Sequence, residues 1–253
     1  MDSTDRNPDN EPVITAAGVL AWRGGSGADR PPAVPDRVLL VLDGSIMEAI
    51  RRRHAVWDTP GPASRFAIVR PRAGQPVGLL VPPGVGGPAM AVAVEEAASL
   101  GAREFILIGM AGGISPLVGP GRILLLDTAL PRDGTSVTYG AGPEPVRSDG
   151  PLTDEIAGRL ERAGVAHERA TSWTTDAVYR ETPAAIRSAV AGGARVVEME
   201  AAGLFAVARA IGIRAAAVVV VADDMSDLTW RPPRDLAACR RALAAVAEAL
   251  LAP

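Results

Sequence analysis

A chain of 253 residues, 48% of them hydrophobic, has apolar material for one large α/β domain and is short for two. A formal net charge of -3 leaves no broad basic field, which argues against nucleic acid as the partner, and no run is apolar for long enough to span a bilayer. The single cysteine, Cys239, excludes an intrachain disulfide framework and fits a reducing compartment, while the absence of lysine excludes Schiff-base and P-loop lysine chemistry.

In chain order, residues 1–12 (MDSTDRNPDNEP) are acidic and polar, unlike a signal or transit peptide, and are expected to form a flexible tail on a cytoplasmic protein. Residues 13–22 are a short apolar segment expected to pack on the body as a helix, and 24–35 read as a Gly/Pro linker. The domain is therefore placed at 36–253, behind a tail and linker at 1–35. Apolar runs follow at 37–44, 76–83, 104–113, 122–130 and 214–224. Without polar alternation they read as strands buried on both faces of a parallel or mixed sheet. Helical patterns occupy 89–102, 152–164, 200–212 and 235–251, and Arg51 to His54 (RRRH) reads as the solvated end of a helix. This alternation argues for one α/β domain without internal repeats.

In such sheets ligands gather beyond the carboxyl ends of the strands. The residues there are Asp43-Gly44, a glycine turn at 84–87, a second at 109–113, and Asp223-Asp224. Glycines let backbone N–H groups approach an anion, but tight turns in a crowded core explain either turn alone, and neither is the G-x-G-x-x-G of a dinucleotide site. Asp223 and Asp224 are placed either for catalysis or to cap the next turn. Glu198 and Glu200 flank Met199 just before a helix, where the dipole accommodates one acid more readily than two. His54 and His167 share no ligand spacing with each other or with Cys239, so no metal site is expected, and Cys239 reads as helix packing.

The blocks GVGGPAMAVAVEEAASLGAREFILIGMAGGI, RDGTSVTYG, TTDAVYRETP and VVEMEAAGLFAVARAIGIRAAAVVVVADD, in that order, resemble the nucleoside phosphorylase superfamily from Arg37 to the C-terminus. The resemblance implies one three-layer α/β/α domain around a central mixed, largely parallel sheet. It also implies a small-molecule nucleoside substrate, no cofactor apart from phosphate as co-substrate, and a homo-oligomer (dimer, trimer or hexamer). By resemblance Met199 packs on the ribose, Glu200 takes the 2′- and 3′-hydroxyls, and Asp223 protonates or hydrogen-bonds N7 of a purine as the C1′–N9 bond breaks. Arg234 or Arg231 is implied as the support of Asp223. Val178 takes the base-stacking position with Tyr179 beside it, and Val197 and Glu198 complete the base side, Glu198 reaching either the base or a backbone donor.

On the phosphate side the chain departs from the family. Ile46 or Met47, Leu107 and Met110 stand where two arginines and a hydroxyl belong, around Gly109, and such side chains offer a phosphate dianion no donor. Nucleosidases of the family activate water with a glutamate of the first turn, which points to Glu48, with Asp43 second. The expected function is cleavage of the N-glycosidic bond of a nucleoside, purine favoured, by phosphorolysis or by hydrolysis. The competing reading is a family member that binds nucleoside or base without turnover; a dinucleotide oxidoreductase is disfavoured by the missing fingerprint.

Overall fold

The computed structural model describes residues 12–24, 33–59, 65–71 and 74–252. In chain order its strands are β1 (Arg37–Val41), β2 (Ala55–Asp58), β3 (Arg65–Arg70), β4 (Val77–Val81), β5 (Glu104–Gly113), β6 (Ile123–Arg132), β7 (Val146–Arg147), β8 (Glu168–Thr175), β9 (Ala194–Glu198) and β10 (Arg214–Asp224). Its helices are α1 (Ala16–Arg23), α2 (Gly44–Arg51), α3 (Gly86–Ser99), α4 (Gly134–Thr138), α5 (Gly150–Arg162), α6 (Pro183–Ala191), α7 (Ala201–Ile211) and α8 (Leu236–Leu251). Each predicted apolar run is a strand and each predicted helical pattern a helix. Among the described residues no helix is long and apolar enough to cross a membrane.

The strands are apolar on both faces because each face has its own core. In β10, Ala217, Val219 and Val221 join Met90, Val94, Leu204 and Phe205 of α3 and α7, while Ala216, Val218 and Val220 join Ile46, Ile50, Leu160 and Leu243 of α2, α5 and α8. The result is the three-layer α/β/α arrangement. The sheet is mixed, and its longest ladders, β5–β10 and β6–β8, are parallel. Pairs β1–β4, β1–β5, β5–β10, β6–β8 and β8–β9 are parallel; β2–β3, β3–β4, β6–β7, β6–β10 and β5–β9 are antiparallel. The short connections β2–β3–β4 permit only antiparallel neighbours. Strand β5 pairs with both β10 and β9, so β5, β10, β6, β8 and β9 close into a ring.

One helix starts earlier than the sequence reading places it. Helix α3 starts at Gly86, ahead of the predicted 89, because Pro88 sits in the first turn, where no backbone donor is needed. The helix expected within residues 13–22 is α1, capped by Thr15 and tied to α3 by Arg23 on Glu96 at 2.8 Å; residues 1–11 and 25–32, in the expected tail and linker, lie outside the described residues.

Candidate active site

The carboxyl ends of β1, β4, β5 and β10 open onto a cavity of about 380 Å³, closed on one side by the turn from β9 into α7. Asp43, Met110, Val178, Val197, Glu198, Met199, Glu200 and Asp223 line it, joined by Glu181, which the sequence alone does not single out. A larger cleft of about 920 Å³ lies at the opposite end of the strands. There Arg37 pairs with Glu104 at 2.7 Å and Glu155 at 2.9 Å, so its charges satisfy one another. In the smaller cavity five acids converge with apolar groups and only Asp43 among them has an arginine partner within the described residues, and that is the candidate site.

Glu198 ends β9 and folds back over the start of α7. Its Oε2 accepts from the backbone N–H groups of Glu200 (2.8 Å) and Ala201 (2.6 Å), and its Oε1 from the hydroxyls of Thr174 (2.5 Å) and Ser172 (3.0 Å). Thr174 Oγ1 in turn accepts from Ala202 N–H at 2.9 Å. Burial, with Glu200 adjacent, pushes the Glu198 carboxyl up to about 7 against the pull of these donors. Of the two roles open to it, the backbone one holds. Glu198 splices β8, β9 and α7 and has no oxygen left for a base.

Glu200 faces the cavity from the first residue of that turn. Its Oε1 accepts from Gly86 N–H at 2.7 Å and its Oε2 from Met199 N–H at 3.2 Å, and burial holds its carboxyl above the usual range. Each oxygen keeps a lone pair, which suits a vicinal diol. The first glycine turn is built for this contact. Gly86 has φ +84°, the left-handed region, and a Cβ on Gly87 would lie 2.6 Å from Thr135 Oγ1.

Asp223 is aimed by a bulge. The β5–β10 register shifts between Val221 and Asp223, and the extra residue, Ala222, places both itself and Asp223 on the cavity wall. Asp223 Oδ2 accepts from Trp230 Nε1–H at 2.7 Å. Backbone bonds in both directions between Asp224 and Arg231 (3.1 and 2.8 Å) pin the loop that carries Trp230. The arginine implied by resemblance is not there. Arg231 pairs with Asp224 at 3.2 Å and with Asp227, and Arg234 lines a separate recess beside Asp235 and Cys239. A neutral indole N–H holds the acid instead. Nothing in the sequence pattern marks Trp230, because its reach depends on the loop.

On the base side, Val178 lines the cavity but Tyr179 is 97% exposed and points away. The physical reason is a single 3₁₀ turn over Val178–Arg180, in which side chains three apart are eclipsed. Val178 therefore shares its face with Glu181. Burial and the charge of Asp223 push the Glu181 carboxyl up to about 7. Reading 178–181 as one helical turn is the signal that finds it.

On the phosphate side, Ile46 and Leu107 are fully buried in the two cores and do not reach the cavity. The space above Gly109 is filled by Leu42, whose Cδ1 would lie 2.8 Å from a Cβ there; Met110 lines the wall. Glu48 is also outside. With Ile46, Met47 and Ile50 turned inward on α2, helical periodicity sends Glu48 outward, where it pairs with Arg65 at 3.1 Å. Asp43 does line the cavity, as the cap of α2 over Ser45 N–H (2.8 Å) and the partner of Arg240 (2.8 Å). Burial raises its carboxyl, but the bonds from Arg240 and Ser45 outweigh this and hold it below the usual range. Among the described residues lining the cavity there are carboxylates at Asp43, Glu181, Glu198, Glu200 and Asp223, and no arginine or histidine.

The remaining reactive residues serve the fold. His54 bonds Glu248 at 2.8 Å between α2 and α8, His167 bonds Val165 O at 3.2 Å, and Cys239 is buried against β10.

Residues 37–252 match the sequence profile described as the phosphorylase superfamily. The chain is 30% identical over 210 residues to a uridine phosphorylase of Thermococcus kodakarensis, covering 77% of this chain and 75% of that protein. It is 27% identical over 207 residues to a uridine phosphorylase of Escherichia coli, covering 75% and 77%, and 30% identical over 138 residues to a guanosine phosphorylase of Halorubrum lacusprofundi, covering 54% and 57%. A crystal structure of uridine phosphorylase from Vibrio fischeri ES114 aligns with 86% of this chain and 90% of that one, with a TM-score of 0.72 at 20% identity, a likeness of fold.

Proposed function

The chain belongs to the phosphorylase superfamily, and we propose that it cleaves the N-glycosidic bond of a purine nucleoside, with water in the place that phosphate takes in phosphorolysis. The observation that carries this reading is the presence of Glu200 and Asp223 on one cavity whose lining includes no cation among the described residues. Glu200 accepts from the 2′- and 3′-hydroxyls and fixes the sugar, with Met199 against it. Asp223, oriented by Trp230, gives a proton to N7, and the electron pair of the C1′–N9 bond leaves with the base. Positive charge developing on the sugar then sits among carboxylates. Water adds to C1′ and gives up its proton to Asp43, the titratable group at that end. An acid at the end of β10 suits N7, an atom that pyrimidines lack. A homo-oligomer in the cytoplasm belongs to the same reading.

The test is base release from purine nucleosides by the wild type and by Asp223→Asn and Glu200→Ala. General-acid catalysis contributes typically 10²–10⁴-fold, so a loss of about 100-fold or more is expected for Asp223→Asn. Wild-type rates in both variants would overturn the assignment. A second reading, binding without turnover, is favoured by one observation: Asp43 is already bonded to Arg240 and Ser45, and Glu48 faces outward. Adenosine bound without base release, with or without phosphate, selects it.

A further inference from the structure

We infer that Glu181 reads the leaving base: set on the base side of the cavity with Asp223, its carboxylate accepts hydrogen bonds from an amino group, so that amino-substituted purines are taken in preference to purines with a carbonyl on that edge. The inference rests on the proposed nucleoside site and adds the chemistry of its base.

Glu181 is held in place by its backbone. It closes the turn begun at Val178, with Arg180 N–H on Ala177 O and Thr182 N–H on Arg180 O, both at 2.8 Å, and Thr182 then caps α6. Its half-buried carboxylate has no hydrogen-bond or ion-pair partner among the described residues. A partly desolvated acceptor in that state gains most from a ligand that brings donors.

The other groups lining the cavity leave this role to Glu181. Glu198 is saturated by four protein donors, Glu200 belongs to the sugar, and Asp43 is paired with Arg240. Val178, Val197 and Met225 are apolar. Asp223 lies close enough for its charge to act on Glu181, and its Oδ2 is already bonded to Trp230. An exocyclic amino group carries two N–H donors and no acceptor pair turned toward the acids. A carbonyl in its place sets lone pairs against carboxylate oxygens. Discrimination by charged hydrogen bonds of this kind amounts to about 10- to 100-fold.

The experiment is calorimetric binding of adenine and hypoxanthine at pH 8 to the wild type, Glu181→Gln and Glu181→Ala, with circular dichroism confirming the fold of each. The wild type is expected to bind adenine about 10- to 100-fold more tightly than hypoxanthine. Glu181→Gln, whose amide brings a donor, should erase or invert that ratio, and Glu181→Ala should weaken adenine while leaving hypoxanthine nearly unchanged. An unchanged ratio in both variants, or no binding of either base by the wild type, overturns the inference. Adenosine turnover by the same preparations reports on the catalytic reading separately: Glu181-dependent selectivity without turnover sinks that reading and supports this one.

Discussion

Replacing Glu198 should damage the fold, not just the site. In Glu198→Ala, two buried backbone N–H groups, of Glu200 and Ala201, and the hydroxyls of Ser172 and Thr174 lose their acceptor together. The hydroxyls can rotate, but the N–H groups cannot, and a buried donor left unsatisfied costs about 1–3 kcal/mol. Two such donors give about 2–6 kcal/mol. The relief of the burial penalty on the acid itself, seen in its raised pKa, offsets part of this, so about 3 kcal/mol is the expected loss at pH 7. Glu198→Gln separates the contributions. Its amide oxygen can keep both backbone donors while its NH₂ faces the two hydroxyls, which can turn to accept, so about 1 kcal/mol is expected. Urea denaturation followed by far-UV circular dichroism measures both, as a lower midpoint at unchanged slope. A loss below about 1 kcal/mol in Glu198→Ala would refute the splice, since two orphaned backbone donors cannot cost less.

Three further outcomes follow from the same geometry. Gly87→Ala forces a Cβ within 2.6 Å of Thr135 Oγ1 and should cost about 1–3 kcal/mol by overpacking, whereas Gly84→Ala, whose nearest neighbour is 3.5 Å away, should be tolerated; thermal melts compare them. Trp230→Phe removes the 2.7 Å donor to Asp223 while keeping an aromatic ring, so kcat for base release should fall about tenfold with KM little changed. Adenine affinity should rise with pH through about 7, because the free protein holds a proton on Glu181 that must leave before the carboxylate can accept from the amino group; binding titrations from pH 6 to 8 should lose that rise in Glu181→Gln.

Sequence legibility followed burial. The strands β1, β4, β5, β6 and β10 are buried on both faces and stand out as uninterrupted apolar runs. Strand β3 (RFAIVR) is flanked by arginines, β9 (ARVVE) is five residues ending in an acid, and β8 mixes threonine and serine with one tryptophan. Their identity depends on neighbours rather than on composition, which is why periodicity passes over them. Which pairs are parallel and which antiparallel is a property of connections and ring closure that no single run encodes. In the site, Glu200 and Asp223 were legible because each sits at a fixed offset from a strongly patterned element. Glu48 misses the site by helical phase: Asp43, ahead of α2, lines the cavity, while α2 turns Ile46, Met47 and Ile50 into the core and Glu48 outward. Arg234 and Tyr179 were assigned from a linear register that the 225–231 loop and the 3₁₀ turn both break. Trp230 and Glu181 take the places those assignments left open.

The central claim is that Glu200 and Asp223 act on one bound nucleoside with water as the acceptor of the sugar. Incubating the purified protein with adenosine, with and without phosphate, and identifying the sugar product tests it directly. Free ribose at a rate indifferent to phosphate, and lost in Asp223→Asn, is the predicted result. Ribose 1-phosphate formed only when phosphate is present would contradict it.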